Sequence, residues 1–167
     1  MENSRSTEIS GSPEISTADL YDRHGENLAS VSLQFQDLGG RTAFTGPIRT
    51  IRCVEDNGLV KSVLNSPGDG AVLVVDGGGS LNTALMGDMI AGAAVANGWA
   101  GVVINGAVRD RAALASLPLG VKALGSNPRK SAKESAGEVD VTVEFGGAVF
   151  RPGAVLYADD DGVLVER

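Results

Sequence analysis

Two short stretches carry side chains that can do chemistry together. In Asn105-Gly106-Ala107-Val108-Arg109-Asp110 an arginine stands beside an aspartate directly after an apolar run. Arginine offers a planar fork of donors for a carboxylate or a developing enolate oxygen, and aspartate offers an oxygen ligand for a hard divalent cation. Upstream, Gly87-Asp88-Met89-Ile90 opens a stretch of small residues that reads as a helix, and a helix start presents free N–H groups to which a small carboxylate can dock. Taken alone, Arg109-Asp110 also reads as an exposed helix start next to a surface arginine. Twenty residues lie between Asp88 and Arg109, so any joint role depends on elements that fold one stretch back onto the other.

Those elements are legible. Ala71-Val72-Leu73-Val74-Val75-Asp76 is a short continuous apolar run, the pattern of a strand covered on both faces. Gly87 to Gly98 predicts a close-packed helix, Gly101 to Gly106 a second buried strand, Arg109 to Leu117 another helix and Val121 to Leu124 a third strand. Strand, helix, strand, helix implies a parallel βαβ core with a right-handed crossover. Before it, Ser16 to Arg23 predicts a capped helix closed by His24-Gly25, Val31 to Val54 two strands around Leu38-Gly39-Gly40, with Pro47 at an edge or bulge, and Asn57 to Leu64 a helix ended by Pro67-Gly68. After it, Val139 to Phe145 alternates as one strand, and Ala154 to Ala158 with Val163 to Val165 reads as a hairpin around Asp159-Asp160-Asp161-Gly162.

Composition narrows the function classes. With 167 residues the chain suits one domain, expected over 16–167, preceded by a loose tail over 1–15 that shows no periodicity. The net charge of -7 removes the phosphate-neutralising surface behind most nucleic-acid affinity, so direct RNA or DNA binding is not expected. A single cysteine, Cys53, and the absence of CxxC or HExxH exclude disulfide and zinc scaffolds. No apolar leader or membrane-length run occurs, so a cytoplasmic protein is expected. Gly77-Gly78-Gly79 follows a buried strand but lacks the GK[ST] of a P-loop, and no GxGxxG stands between strand and helix. His24 reads as a solvated helix end, Trp99 as packing or a subunit contact, Cys53 as a small buried hydrophobe and Asp76 as a turn former. Lys61 and Lys122 read as surface charges.

The Asp88 to Arg109-Asp110 spacing resembles the D-x20-R-D signature of the RraA-like proteins, and the resemblance extends from Thr17-Ala18-Asp19-Leu20 through Phe44-Thr45-Gly46-Pro47 to Asp161-Gly162-Val163. It implies an α/β single domain of the β/β/α swivelling type, with a mixed sheet around the parallel βαβ core, assembled as a homotrimer with the active site between subunits. It also implies a metal-dependent lyase that cleaves 4-hydroxy-4-methyl-2-oxoglutarate to pyruvate and decarboxylates oxaloacetate through the same pyruvate enolate. Carried over residue by residue, Gly87, Asp88, Met89 and Ile90 would hold the substrate, Arg109 would bind its pyruvyl part, and Asp110 would ligate Mg2+ or Mn2+. Asp88 would contact the water shell of the metal or orient Arg109. Neither Glu166 nor the Asp159-Asp160-Asp161 run maps onto the C-terminal acidic residue shared by the aldolase members. The family's namesakes suggest a second role, inhibition of ribonuclease E by protein contact, for which an acidic surface suits a basic partner.

Overall fold

The computed structural model describes residues 15–167. The tail expected over residues 1–15 therefore lies outside the described residues, save for Ile15, which packs against Leu20, Leu28 and Leu164.

Four parallel strands form the centre. β3 (Phe44–Arg52), β4 (Val72–Asp76), β5 (Gly101–Val108) and β6 (Gly120–Ser126) lie side by side, and the β3–β4, β4–β5 and β5–β6 pairs are all parallel. Successive side chains point to opposite faces, so each run feeds two cores. Leu73, Val75, Val102 and Ile104 face the helices, whereas Val72, Val74 and Val103 face a layer of β-structure. The first helix, α1 (Thr17–His24), packs Leu20 against Leu28 and Leu164, and on the helical side lie α2 (Gly58–Leu64), α3 (Asp88–Ala96) and the short α4 (Arg111–Leu114). The fully buried Ala91 and Ala94 bring α3 close to the sheet.

The opposite face is closed by a meander of antiparallel strands. β1 (Leu28–Ser30), β11 (Gly162–Glu166) and β10 (Val155–Asp159) extend the sheet beyond β3, and β2 (Gln36–Asp37) pairs with β6 at the other end. A separate hairpin, β8 (Val143–Phe145) and β9 (Ala148–Phe150), packs its Phe145 and Phe150 rings into this core, stacked at 4.5 Å. The ring of Phe44 fills a slot that exists because Gly101 and Gly120 have no side chains: a Cβ on either would lie within 2.4 Å of it. The chain is thus a mixed α/β domain of β/β/α layers, and its sheet contains a parallel βαβ core. Among the described residues no helix is long and apolar enough to cross a membrane.

Four sequence expectations need correction. The helix expected from Arg109 to Leu117 shrinks to Arg111–Leu114, because Asp110 adopts a left-handed conformation that delays its start. The single strand over Val139 to Phe145 is broken at Asp140, also left-handed at φ 60°; β7 (Glu138–Val139) stays with β3 while β8 joins β9. Pro47 lies at neither an edge nor a bulge: it marks where β3 exchanges its antiparallel partner β10 for its parallel partner β4. Finally, Lys122 is buried, at 2% exposure, rather than on the surface.

Candidate functional site

β5 is buried along its whole length and surfaces only at its carboxyl end, where Arg109 is half-buried and Asp110 exposed. There the chain turns through Asp110 at φ 66° and ψ 46°, a left-handed geometry that aspartate tolerates better than most residues. The turn aims the Asp110 carboxylate back at the start of α3, where its Oδ2 accepts the Asp88 N–H at 2.9 Å. α3 has no capping side chain of its own because its N-cap residue is Gly87. Asp110 supplies that acceptor from a different element, and its negative charge suits a helix N-terminus.

Backbone pairing sets this geometry. Leu85 N–H donates to Ala107 O at 2.8 Å and Arg109 N–H to Met86 O at 3.0 Å, so the segment entering α3 runs alongside the end of β5. Gly87 leaves room at the closest point. A Cβ there would stand 2.7 Å from Asp110 Oδ2 and 3.3 Å from Arg109 Cγ and Nε. The twenty-residue spacing read from the sequence is therefore closed into one contact between Gly87-Asp88 and Arg109-Asp110.

Beside this contact a cavity of about 300 Å³ opens between the carboxyl ends of β5 and β6, lined by Arg109, Asp110, Arg111, Ser126, Asn127 and Pro128. Ligands of parallel sheets settle at such strand ends. Arg109 Nη1 donates to the Pro128 carbonyl at 3.3 Å, so that carbonyl, rather than Asp88, is the partner fixing the guanidinium. The Asp88 side chain is exposed, Met89 is 85% exposed and Ile90 packs partly against the helical core. The first-turn amides other than that of Asp88 are the ones an α-helix leaves without an intrahelical acceptor. Arg111, Ser126 and Pro128 were not singled out from the sequence. The signal that would have found Ser126 is the rule that ligands meet strand ends, since it closes β6.

The donor set fits a hard cation. Asp110 Oδ2 is engaged by Asp88, but among the described residues Oδ1 has no hydrogen-bond partner. No group of three His, Cys, Asp or Glu side chains gathers among the described residues to make an all-protein cage. One free carboxylate oxygen beside an open, polar cavity suits Mg2+, which retains several waters and needs few protein ligands.

Other residues of interest lie elsewhere. Asp76 Oδ1 accepts the Gly78 N–H and the Asn105 side-chain amide at 3.0 Å each, forming the turn after β4. Trp99 is buried and donates to Ser66 O, and its ring packs on Gly68. His24 and Lys61 are exposed. Cys53 is buried. Glu166 accepts the Val155 N–H within the β10–β11 hairpin. The α2 N-cap, Asn57, makes no side-chain capping bond; Asp56 Oδ1 takes the Gly58 N–H instead.

The fold and these residues define an α/β domain with a pocket lined by two arginines and an aspartate at the carboxyl ends of its parallel strands. The sequence profile of the RraA-like family, described as Aldolase/RraA, matches residues 17–165. The chain belongs to the RraA-like family, which covers both aldolase-type enzymes and ribonuclease E inhibitors. Among solved structures it is similar to the RNA-processing inhibitor RraA from Thermus thermophilis, at 49% identity and a TM-score of 0.89 over 92% of this chain and 93% of that one. It is equally similar to a protein from Geobacillus kaustophilus described as an S-adenosylmethionine: 2-dimethylmenaquinone methyltransferase, at 48% identity and a TM-score of 0.90 over 91% and 94%. Streptomyces coelicolor RraAS2, described as an unusual member of the RNase ES inhibitor RraA protein family, matches at 30% identity and a TM-score of 0.75 over 92% and 81%.

Proposed function

We propose that the protein is a divalent-metal-dependent lyase that cleaves 4-hydroxy-4-methyl-2-oxoglutarate to pyruvate and decarboxylates oxaloacetate. One observation carries the reading: Asp110, which lines the cavity together with Arg109, accepts the Asp88 N–H at the start of α3 through Oδ2 and keeps Oδ1 without a partner among the described residues. In the retro-aldol step the C4 hydroxyl loses its proton, the C3–C4 bond breaks, and the electron pair moves into a pyruvate enolate. Protonation at C3 completes the second pyruvate. Oxaloacetate reaches the same enolate by loss of CO2, so the same residues serve both reactions.

Each residue has a stated task. Arg109 binds the pyruvyl part and meets the developing enolate oxygen with a fork already fixed on Pro128 O. Gly87, Met89 and Ile90 offer their amides to the substrate carboxylate at the start of α3. Asp110 Oδ1 would hold Mg2+ or Mn2+, and the exposed Asp88 carboxylate would accept from its water shell. When bound, the cation supplies Lewis acidity at the substrate oxygens. The same reading makes the chain a homotrimer, and the highly exposed Met89 in the first turn of α3 suits a subunit contact.

The test is pyruvate release from 4-hydroxy-4-methyl-2-oxoglutarate and from oxaloacetate, with Mg2+ and with EDTA, comparing the protein with Asp110→Ala and Arg109→Lys. Release that needs both the metal and Asp110 is expected, and Arg109→Lys should lose about 10²–10³-fold because an ammonium cannot reproduce the planar fork. Release no faster than with free metal would defeat the lyase reading. It would favour the second one, inhibition of ribonuclease E by protein contact. That reading is supported by the 49% identity to an RNA-processing inhibitor and by the net charge of -7.

A further inference from the structure

The candidate cavity carries a second guanidinium that the proposed chemistry does not use. Arg111 begins α4 and lines the same cavity as Arg109. Its orientation is fixed from two other elements: Nε donates to Ser126 Oγ at 2.8 Å, and Nη2 donates to Gln36 Oε1 at 2.6 Å. Gln36 is itself held, its Nε2 donating to Leu124 O at 3.1 Å. Nη1 has no partner among the described residues. Nor is either arginine in an ion pair there, although acidic residues outnumber basic ones in the chain by 21 to 14. The one carboxylate on the cavity, Asp110, is turned toward Asp88. Two guanidiniums held only by neutral acceptors, against a single carboxylate, leave one small cavity with a surplus of positive charge that matches a ligand with two anionic groups.

We propose that Arg111, anchored by Gln36 and Ser126, selects substrates carrying a second carboxylate, receiving that group while Arg109 holds the 2-oxo acid end. The assignment rests on the reading of the cavity as a 2-oxo acid site, and it makes Arg111 a specificity residue and Gln36 a positioning residue. A role as a mere surface staple between α4, β2 and β6 would affect all ligands alike.

The test is calorimetric titration of the Mg2+-supplemented protein with pyruvate and with 2-oxoglutarate. Both have the 2-oxo acid head and only the latter has a second carboxylate; neither has the 4-hydroxyl or 3-carboxylate needed for turnover. The protein should prefer 2-oxoglutarate. Arg111→Gln should weaken 2-oxoglutarate about tenfold or more, as expected for a lost hydrogen bond to a charged group, while pyruvate affinity stays within about twofold. Arg111→Lys should fall between, and Gln36→Ala should cause a smaller loss with the same selectivity. Equal losses for both acids, no loss, or no preference in the unaltered protein would overturn the proposal. A protein that prefers 2-oxoglutarate through Arg111 yet releases no pyruvate from 4-hydroxy-4-methyl-2-oxoglutarate would defeat the lyase reading alone. One that cleaves that acid while Arg111→Gln keeps its preference would defeat the Arg111 assignment alone.

Discussion

The Asp110 carboxylate accepts the main-chain N–H of Asp88 at 2.9 Å across 22 residues of sequence, so one side chain both caps α3 and faces the cavity. The two roles are separable. Asp110→Ala removes both and should lower unfolding stability by about 1 kcal/mol, the usual effect of losing a helix cap. Asp110→Asn keeps an oxygen for the Asp88 N–H and should restore most of that stability in denaturant titrations, while losing the charge that a cation requires. Its metal-dependent turnover should stay at background. An Asn variant with normal turnover would take the carboxylate out of the chemistry.

Gly87 is the point of closest approach between the two halves of the site, and alanine there tests the geometry without removing a charged group. The added methyl would sit 2.7 Å from Asp110 Oδ2, so the carboxylate or the α3 start must shift. The φ of -124° at Gly87 is open to any residue, so backbone strain does not confuse the result. Overpacking of this kind costs about 1–3 kcal/mol where nothing yields. Because the neighbour is an exposed side chain that can swing away, most of the effect should appear as lost turnover and weakened Mg2+ dependence rather than as unfolding. A Gly87→Ala variant with the kinetics of the unaltered protein would show that the Asp88–Asp110 contact is not needed.

The parts of the fold that the sequence announced are those whose residues obey one environment. β4 and β5 are covered on both faces, so their runs are apolar throughout, and the Gly87–Gly98 segment ends at glycines on both sides. The pairing of Asp88 with Arg109-Asp110 follows from that βαβ unit. What stayed hidden depends on partners distant in sequence. Val139 to Phe145 alternates without interruption, yet Asp140 turns away to bind Arg49 and the two halves join different sheets. Arg111 gave no signal because its meaning lies in Gln36 and Ser126, 75 and 15 residues away. Lys122 sits in a strand where only Asp37 and a carbonyl from the β10–β11 hairpin explain a buried charge.

Cys53 should be inert in the folded protein. It is 3% exposed, and burial, followed by the negative charges of Asp56 and Asp76, pushes its thiol up to about 12. The thiolate is the reactive form, so a disulfide reagent at pH 8 should label the native protein negligibly and the denatured protein fully. The raised value also sets a sign for stability. As pH climbs above about 9 the unfolded chain sheds a proton that the fold retains, so this group lowers stability progressively between 9 and about 12. Rapid labelling of native protein would mean that Cys53 is accessible, contrary to its position between β3 and the helical core.

Lys122 holds three parts of the sheet together. Its Nζ lies 2.8 Å from Asp37 Oδ1 on β2 and donates to Asp159 O at 2.8 Å on the β10–β11 hairpin. The Asp159 carboxylate in turn accepts the Thr17 N–H and hydroxyl, at 2.8 and 2.6 Å, which docks the first helix (Thr17–His24). Lys122→Ala strands the Asp159 carbonyl and a partly buried Asp37, and should destabilise the protein by about 3 kcal/mol, the low end for breaking a buried pair because Asp37 retains some solvent. Lys122→Met preserves the stem's packing and should recover part of this. Adding Asp37→Asn to Lys122→Met should be less damaging than the sum of the two single changes, since it removes the orphaned charge. Folded Lys122→Met should turn over at the normal rate, and borohydride with pyruvate should trap no adduct on Lys122 in the unaltered protein. A trapped adduct would replace the metal-dependent reading with Schiff-base chemistry; additivity of the two substitutions would mean that the pair contributes no coupling to the fold.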